Sequence, residues 1–263
     1  ITLDNINTSG GKSTAIGNHA GGNAGNITLT ANKTSGFKFI TINEDISAVG
    51  GAGVGTGAKG ANGTNALIFL NTQIAGRVDI NASNFLSSNV SITGSGADDT
   101  LKITNGNNSW EVTGSNIGTV KSADNADTDA AKISFNGIAN IIGGSGADNF
   151  EIKSGGAIKL INGGAGPGNN SLTRWDLANT WDINGSNQGS IKQGNTQYVQ
   201  FTNIQDLVGG IANDTFEFSA AASAITGSID GGGGLGANSL RGRNAASTWT
   251  ITGVDKGNIK LTQ

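Results

Sequence analysis

The phrase FTNIQDLVGGIANDTFEF, Phe201–Phe218, rewrites FNGIANIIGGSGADNFEI, Phe135–Ile152, at an offset of 66 residues. Phe135 and Phe201, Ile138 and Ile204, and Ile141 and Leu207 hold the same places. The match continues through Gly143-Gly144 and Gly209-Gly210, Asp148 and Asp214, Phe150 and Phe216, and Glu151 and Glu217. A chain that rewrites one pattern at a fixed period stacks one structural unit, because such a unit buries its apolar face only against its neighbours.

A second phrase keeps step. Trp110-Glu111-Val112-Thr113-Gly114-Ser115-Asn116 returns at Trp181 and again, modified, at Trp249, with spacings of 71 and 68 residues that Leu101, Leu172 and Leu240 also keep. The first unit carries five more residues than the 66-residue offset, and they fall in the loop Lys121–Lys132, KSADNADTDAAK. Insertions confined to loops while strand registers hold are what a stack of coils tolerates. The chain therefore reads as one continuous solenoid over 1–263, with less regular turns over 1–93 and recognisable units of about 66–71 residues over 94–263.

The 44 glycines interrupt nearly every window long enough for a helix, and no sustained 3.6-residue apolar period exists. Short runs with alternating apolar residues and β-branched content recur instead, among them Phe37–Ile42, Leu67–Leu70 and Trp181-Asp182-Ile183. In Trp181-Asp182-Ile183 the Trp and Ile face one side and the Asp the other, and Phe216-Glu217-Phe218 points two rings inward and Glu217 outward. These patterns predict an all-β, right-handed parallel β-helix. Three strands per turn of about 20–24 residues and roughly a dozen turns would give a rod roughly 55–60 Å long. Recurrent letters of successive units are expected to become vertical neighbours.

Only 13% of residues are charged, against about a quarter in an ordinary soluble domain, and the net charge is −3 with Lys and Arg scattered. That is not the basic stripe of a nucleic-acid site. No apolar run approaches the ~20 residues of a membrane span. The chain starts at Ile1 with no initiator Met and no signal-peptide pattern, and reads as an excised piece of a longer protein.

Several segments carry candidate chemistry. GSGADDTLK (Gly94–Lys102), GGSGADNFE (Gly143–Glu151) and GGIANDTFE (Gly209–Glu217) resemble the GGxGxDxUx repeat of repeats-in-toxin proteins, which binds Ca²⁺ in a β-roll. That resemblance makes Asp148 and Asp214 candidate calcium ligands. Here the copies are single, however, and Ca²⁺ takes six to eight oxygens, so a glycine corner with an Asp-capped turn is the simpler reading. GGAGPGNNSL (Gly163–Leu172) and GGGGLGANSL (Gly231–Leu240) put Asn169 or Gly236-Ala237 in the place of the Asp. Asp124, Asp127 and Asp129 cluster three carboxylates in the inserted loop, a second calcium candidate that lacks the glycine and distant Glu of a true calcium loop.

Trp110, Trp181 and Trp249 share a face with Ile or Val and are expected in or near the core. Trp175, in Arg174-Trp175-Asp176, breaks the repeat and is the candidate for stacking on a sugar. The single His19 lies in a glycine-rich loop, and no Cys or GxSxG elbow offers a nucleophile. The repeated acids sit in equivalent places of different units, as a structural repeat gives, so the chain reads as non-catalytic.

GGNAGNITLTA (Gly21–Ala31), SWEVTGSNIGTV (Ser109–Val120), Phe201–Phe218 and GSIDGGGGLGANSL (Gly227–Leu240) together resemble the repeat region of very large bacterial exoproteins related to filamentous haemagglutinin. The resemblance implies a two-partner-secreted adhesin with a parallel β-helix, exported to the cell surface and folded outside the outer membrane. Its partners would be flanking repeats of the same protein or other copies stacked end to end, and cell-surface glycans.

Overall fold

The computed structural model describes residues 90–95, 98–104, 106–122, 133–175, 177–233, 237–253 and 256–261. Within the first 89 residues it describes the strands named below and positions 11, 18, 20–23, 52–54 and 56–58. Among the described residues there are 25 strands and no helix. The chain opens with β1 (Thr2–Leu3), β2 (Ile6–Asn7), β3 (Thr28–Ala31), β4 (Lys38–Ile42), β5 (Ile46–Ser47), β6 (Ala66–Leu70) and β7 (Gly76–Ile80). It continues through β8 (Val90–Thr93), β9 (Thr100–Ile103), β10 (Asn108–Gly114), β11 (Ile117–Ser122), β12 (Ile133–Asn136) and β13 (Asn140–Ile142). Then come β14 (Asn149–Ile152), β15 (Leu160–Asn162), β16 (Ser171–Arg174), β17 (Thr180–Gly185), β18 (Gln188–Gln193) and β19 (Thr196–Thr202). The last are β20 (Asp206–Val208), β21 (Thr215–Phe218), β22 (Ile229–Asp230), β23 (Ser239–Arg241), β24 (Ser247–Gly253) and β25 (Lys256–Leu261).

Two large sheets take 21 of these 25 strands, and β2–β5 and β24–β25 form two small sheets of their own. Sheet one has eleven strands in the order β1-β4-β7-β9-β13-β15-β19-β18-β17-β21-β23. Sheet two has ten, in the order β22-β20-β16-β14-β10-β11-β12-β8-β6-β3. The chain passes back and forth between them and pairs mostly in parallel, a solenoid-like all-β architecture. Ile141 lies beside Ile161 in sheet one, and Phe150 beside Leu172 in sheet two, so a short lap advances 20–22 residues. The lap from β14 to β16 spends two strands, β14 and β15, where the sequence pattern predicts three. A third side survives as the single bridges Ser115↔Ala157 and Ser186↔Ala224 and, near the N-terminus, as the pair β2–β5.

Alternation along the strands builds the core. Leu101 and Ile103, Phe150 and Ile152, and Phe216 and Phe218 are buried, while Lys102, Glu151 and Glu217 between them are partly exposed. Buried side chains of both sheets form one cluster. Each fully buried large side chain contributes about 1.5–3 kcal/mol, which is why no lap is stable without its neighbours.

Among the described residues the parallel winding of the two large sheets is interrupted twice. β10–β11–β12 in sheet two and β17–β18–β19 in sheet one are antiparallel meanders. Their first turns are the two-residue loops Ser115-Asn116 and Ser186-Asn187, with Asn116 at φ 58° and Asn187 at φ 53°. Asn adopts the left-handed region at little cost, and a two-residue loop can join only antiparallel strands. In both hairpins the register slips by a bulge just before the glycine, Gly114 or Gly185. The turns dock alike: Asn116 and Asn187 donate their N–H groups to the carbonyls of Ala157 and Ala224, and accept from Ile138 and Ile204.

These meanders overturn the expectation that repeated letters stack on one another. Trp110, Phe135 and Phe150 lie in sheet two, whereas Trp181, Phe201 and Phe216 lie in sheet one. Trp249 sits in the separate hairpin β24–β25. Counting a meander as one visit, the unit from β10 to β16 visits the sheets five times. An odd number of visits starts the next unit on the other sheet. The vertical neighbours are different letters: Trp110 stacks on Phe150 at 5.6 Å and Trp181 on Phe216 at 5.3 Å. Phe135 and Phe201 tilt against the same indoles, each at 6.4 Å.

Candidate functional site

The glycine-Asp segments are corners where the chain leaves one sheet for the other. Gly143–Asp148 joins β13 to β14, and Gly209–Asp214 joins β20 to β21. Asp148 and Asp214 precede their strands and turn their carboxylates back into the corner, where both are buried. Asp148 accepts from the Gly144 N–H and from the Asn108 side-chain amide, each at 2.7 Å. Asp214 accepts from the Gly210 N–H at 2.9 Å, the Asn179 N–H and side-chain amide at 3.1 Å, and the Trp181 indole N–H at 3.4 Å. Asp99 repeats the arrangement with the N–H and hydroxyl of Ser95 and the N–H of Gly76.

The paired glycines make these corners possible. A Cβ on Gly143 would stand 2.4 Å from an Asp148 carboxylate oxygen and 2.6 Å from the Gly163 carbonyl. On Gly209 it would stand 2.7 Å from the carboxylate of Asp214 and 2.3 Å from the Gly231 carbonyl.

Where the Asp is replaced, the substitute is Asn170 or Asn238, not Asn169 or Gly236-Ala237. Asn170 accepts from the Asp148 N–H at 2.9 Å, and Asn238 from the Asp214 N–H at 2.8 Å. Gln205 accepts from the Asn170 N–H at 2.8 Å. Asn108, Asp148, Asn170 and Gln205 thus climb one corner as a ladder, and Asn179, Asp214 and Asn238 climb the other. Asp148, Asn170, Gln205, Asp214 and Asn238 each satisfy a backbone N–H at a corner or strand start, where the sheet ladder does not reach.

Every hydrogen bond to the carboxylates of Asp148 and Asp214 comes from an N–H donor, and Ca²⁺ wants oxygen ligands in their place. Among the described residues no three His, Cys, Asp or Glu side chains stand together to hold a metal ion. Asp124, Asp127, Asp129 and His19 lie outside the described residues.

Burial pushes the Asp148 carboxyl up to about 6, against the lowering effect of the Asn108 amide and the Gly144 N–H. The unfolded chain loses this proton near 3.8. Between those values the folded state binds more protons at this group, so its contribution to stability is full below about 4 and is lost as pH rises through about 6. Lowering the pH from 7.5 to 5 is expected to stabilise the protein by on the order of 1–2 kcal/mol through this group. Urea midpoints at the two pH values check it: Asp148→Asn should remove most of the difference, and an unchanged difference would contradict the assignment.

The aromatic repeat residues divide. Trp110, Trp181, Phe150 and Phe216 are buried core, whereas Trp249 is 45% exposed. The place where the repeat breaks is Arg174-Trp175. At the 71-residue offset Arg174 stands where the preceding unit has Ile103, an inward position, and its side chain is buried. Its Nε donates to Asn179 Oδ1 and its Nη1 to the Gly156 carbonyl, both at 3.0 Å, and the guanidinium lies 4.6 Å from the centroid of the Tyr198 ring. Burial lowers its pKa. A charged letter at an inward strand position was the sequence signal for this site.

Trp175 follows on the outer face, 39% exposed, and Leu177 is 36% exposed. The Lys153 ammonium stands 6.0 Å from the Trp175 ring centroid and pairs with Glu151 at 2.6 Å. The patch offers an aromatic platform, a cation and one engaged carboxylate. Glycoside cleavage uses two carboxyl groups at a defined separation, and Asp176, the nearest further acid in sequence, lies outside the described residues. No protein-family model, curated protein or solved structure matches this chain.

Proposed function

We propose that this chain is a rigid, non-catalytic segment of a secreted bacterial surface adhesin or extracellular filament. One observation carries the reading: two sheets of eleven and ten strands grow together along one direction, lap upon lap, around one continuous core. The architecture builds length, and its outer strands leave unpaired edges on which more of the same can stack. The winding is right-handed, as parallel crossovers within a sheet almost always are, with the third side of each lap reduced to a corner. Ten steps of about 4.8 Å along the longer sheet make a stalk segment roughly 48 Å long. The secreted, haemagglutinin-like identity draws its support from the repeat phrases.

Two copies of the chain joined head to tail test the reading in solution scattering. The tandem should keep the cross-section of the single chain and roughly double its longest dimension. A widened cross-section would mean that the chain packs sideways and is not a stalk.

The exposed Trp175 with Lys153 and Glu151 favours a second role on that stalk, contact with cell-surface glycans. Trp175→Ala should weaken binding to a glycan array, and an unaltered array profile would remove this role.

A further inference from the structure

The third copy of the tryptophan phrase is folded but uncovered. Hairpin β24–β25 pairs Trp249 with Ile259 and Ile251 with Gly257, with a bulge before Gly253. This is the pattern of β17–β18, where Trp181 faces Ile191 and Ile183 faces Gly189. Yet Trp249 is 45%, Ile251 75% and Leu240 39% exposed, while their equivalents Trp181, Ile183 and Leu172 are fully buried.

The internal units show residue by residue what covers such a face. β19 runs antiparallel to β18 and sets Val199 opposite Ile191 and Phe201 opposite Gly189. β12 does the same to β11, with Ile133 opposite Val120 and Phe135 opposite Gly118. The ring rests on the glycine in both: a Cβ on Gly189 would stand 2.7 Å from Phe201 Cζ, and on Gly118 2.5 Å from Phe135 Cζ. The three atoms nearest to a Cβ on Gly257 belong to Thr250 and Ile251, and no ring atom is among them. A second strand, β21 or β14, then runs parallel to the tryptophan strand and stacks its Phe on the indole.

We infer that Trp249, Ile251, Leu240 and the slot over Gly257 form the docking surface for a further unit of this repeat. That unit supplies a strand of the pattern β-branched–x–Phe antiparallel to β25, and a Phe-bearing strand parallel to β24. The inference rests on the stacking-stalk reading above. Among the described residues, the strands of this chain that carry the pattern, β12 and β19, are already buried in their own meanders, so a second copy has neither to lend.

The test appends a second copy of residues 196–218 directly after Gln263, which preserves the 68-residue offset between the Trp181 and Trp249 units. Trp175→Phe in the same chain leaves Trp249 as the exposed indole, since Trp110 and Trp181 are buried. Appending the segment should move tryptophan emission to the blue and reduce acrylamide quenching several-fold. The same appended segment with Phe201→Ser and Phe216→Ser in the copy should do neither. Unchanged quenching with the intact segment, or equal protection by the ring-less one, overturns the inference. Sedimentation of the unextended chain as a dimer with a protected Trp249 also overturns it, because the occupant would then be a second copy. Scattering on the tandem judges the stalk reading separately, so a rod-like tandem together with an extended chain whose Trp249 stays exposed would sink the docking surface alone.

Discussion

Trp181→Ala is expected to cost about 4–5 kcal/mol of stability, whereas Trp249→Ala should cost about 1 kcal/mol or less. The two residues occupy the same place in the repeat and differ in what lies on them. Trp181 is fully buried, stacks on Phe216, tilts against Phe201 and donates its indole N–H to Asp214. Truncating it removes a large apolar surface, leaves a cavity and forfeits aromatic contacts worth roughly 0.5–1.5 kcal/mol beyond area. Trp249 already keeps nearly half of its surface in water and carries no stacked Phe among the described residues. Since domains of ordinary stability hold only about 5–15 kcal/mol, the first substitution consumes a large share and the second almost none. Urea denaturation of the two variants measures this directly, and equal losses would show that the third hairpin is as covered as the second.

Asp214→Ala should cost about 4 kcal/mol, and Asp214→Asn about 1–2 kcal/mol. The carboxylate collects donors from three residues: the Gly210 N–H, both N–H groups of Asn179, and the Trp181 indole. Alanine leaves buried donors with nothing to meet, each costing roughly 1–3 kcal/mol, while Asn keeps one oxygen in the corner. Amide exchange locates the damage: Gly210 and Asn179 should exchange faster in the alanine variant than amides in laps far from this corner. Because Asp214 and Trp181 share a bond, Asp214→Ala with Trp181→Ala should lose less than the sum of the two.

The inward and outward alternation, the glycine corners and the capping Asp were all legible in the letters. Trp181-Asp182-Ile183 and Phe216-Glu217-Phe218 announce strands with one buried face because the period of a strand is two. Asp148 and Asp214 announce capped corners because a short carboxylate beside paired glycines can reach back to a free N–H. Asn169 stands one residue before the Asn that takes the place of the Asp, since the corner from Gly163 to Asn170 is two residues longer than the corner from Gly143 to Asp148 and shifts the alignment against the strand. The stacking order was misread for a different reason. A sequence period shows which segments are equivalent, not which are adjacent, and an odd number of sheet visits separates the two. The antiparallel meanders had a signal, since Ser115-Asn116 and Ser186-Asn187 are too short to carry a chain around a lap. Arg174 had one too, as a charge two residues after the inward Leu172 on the same strand.

The sheet exchange is tested most directly by pairs of spin labels, which this chain accepts at chosen sites because it contains no Cys. Glu111 is the register partner of Glu151 in sheet two, while Asp182, its equivalent in the repeat, lies in sheet one. Labels at positions 111 and 151 should show the strong coupling of neighbouring strands, within about 10 Å. Labels at 111 and 182 should lie roughly 25 Å or more apart, across two sheets packed about 10 Å from one another plus the label arms. Strong coupling between 111 and 182, with 111 and 151 far apart, would contradict the account.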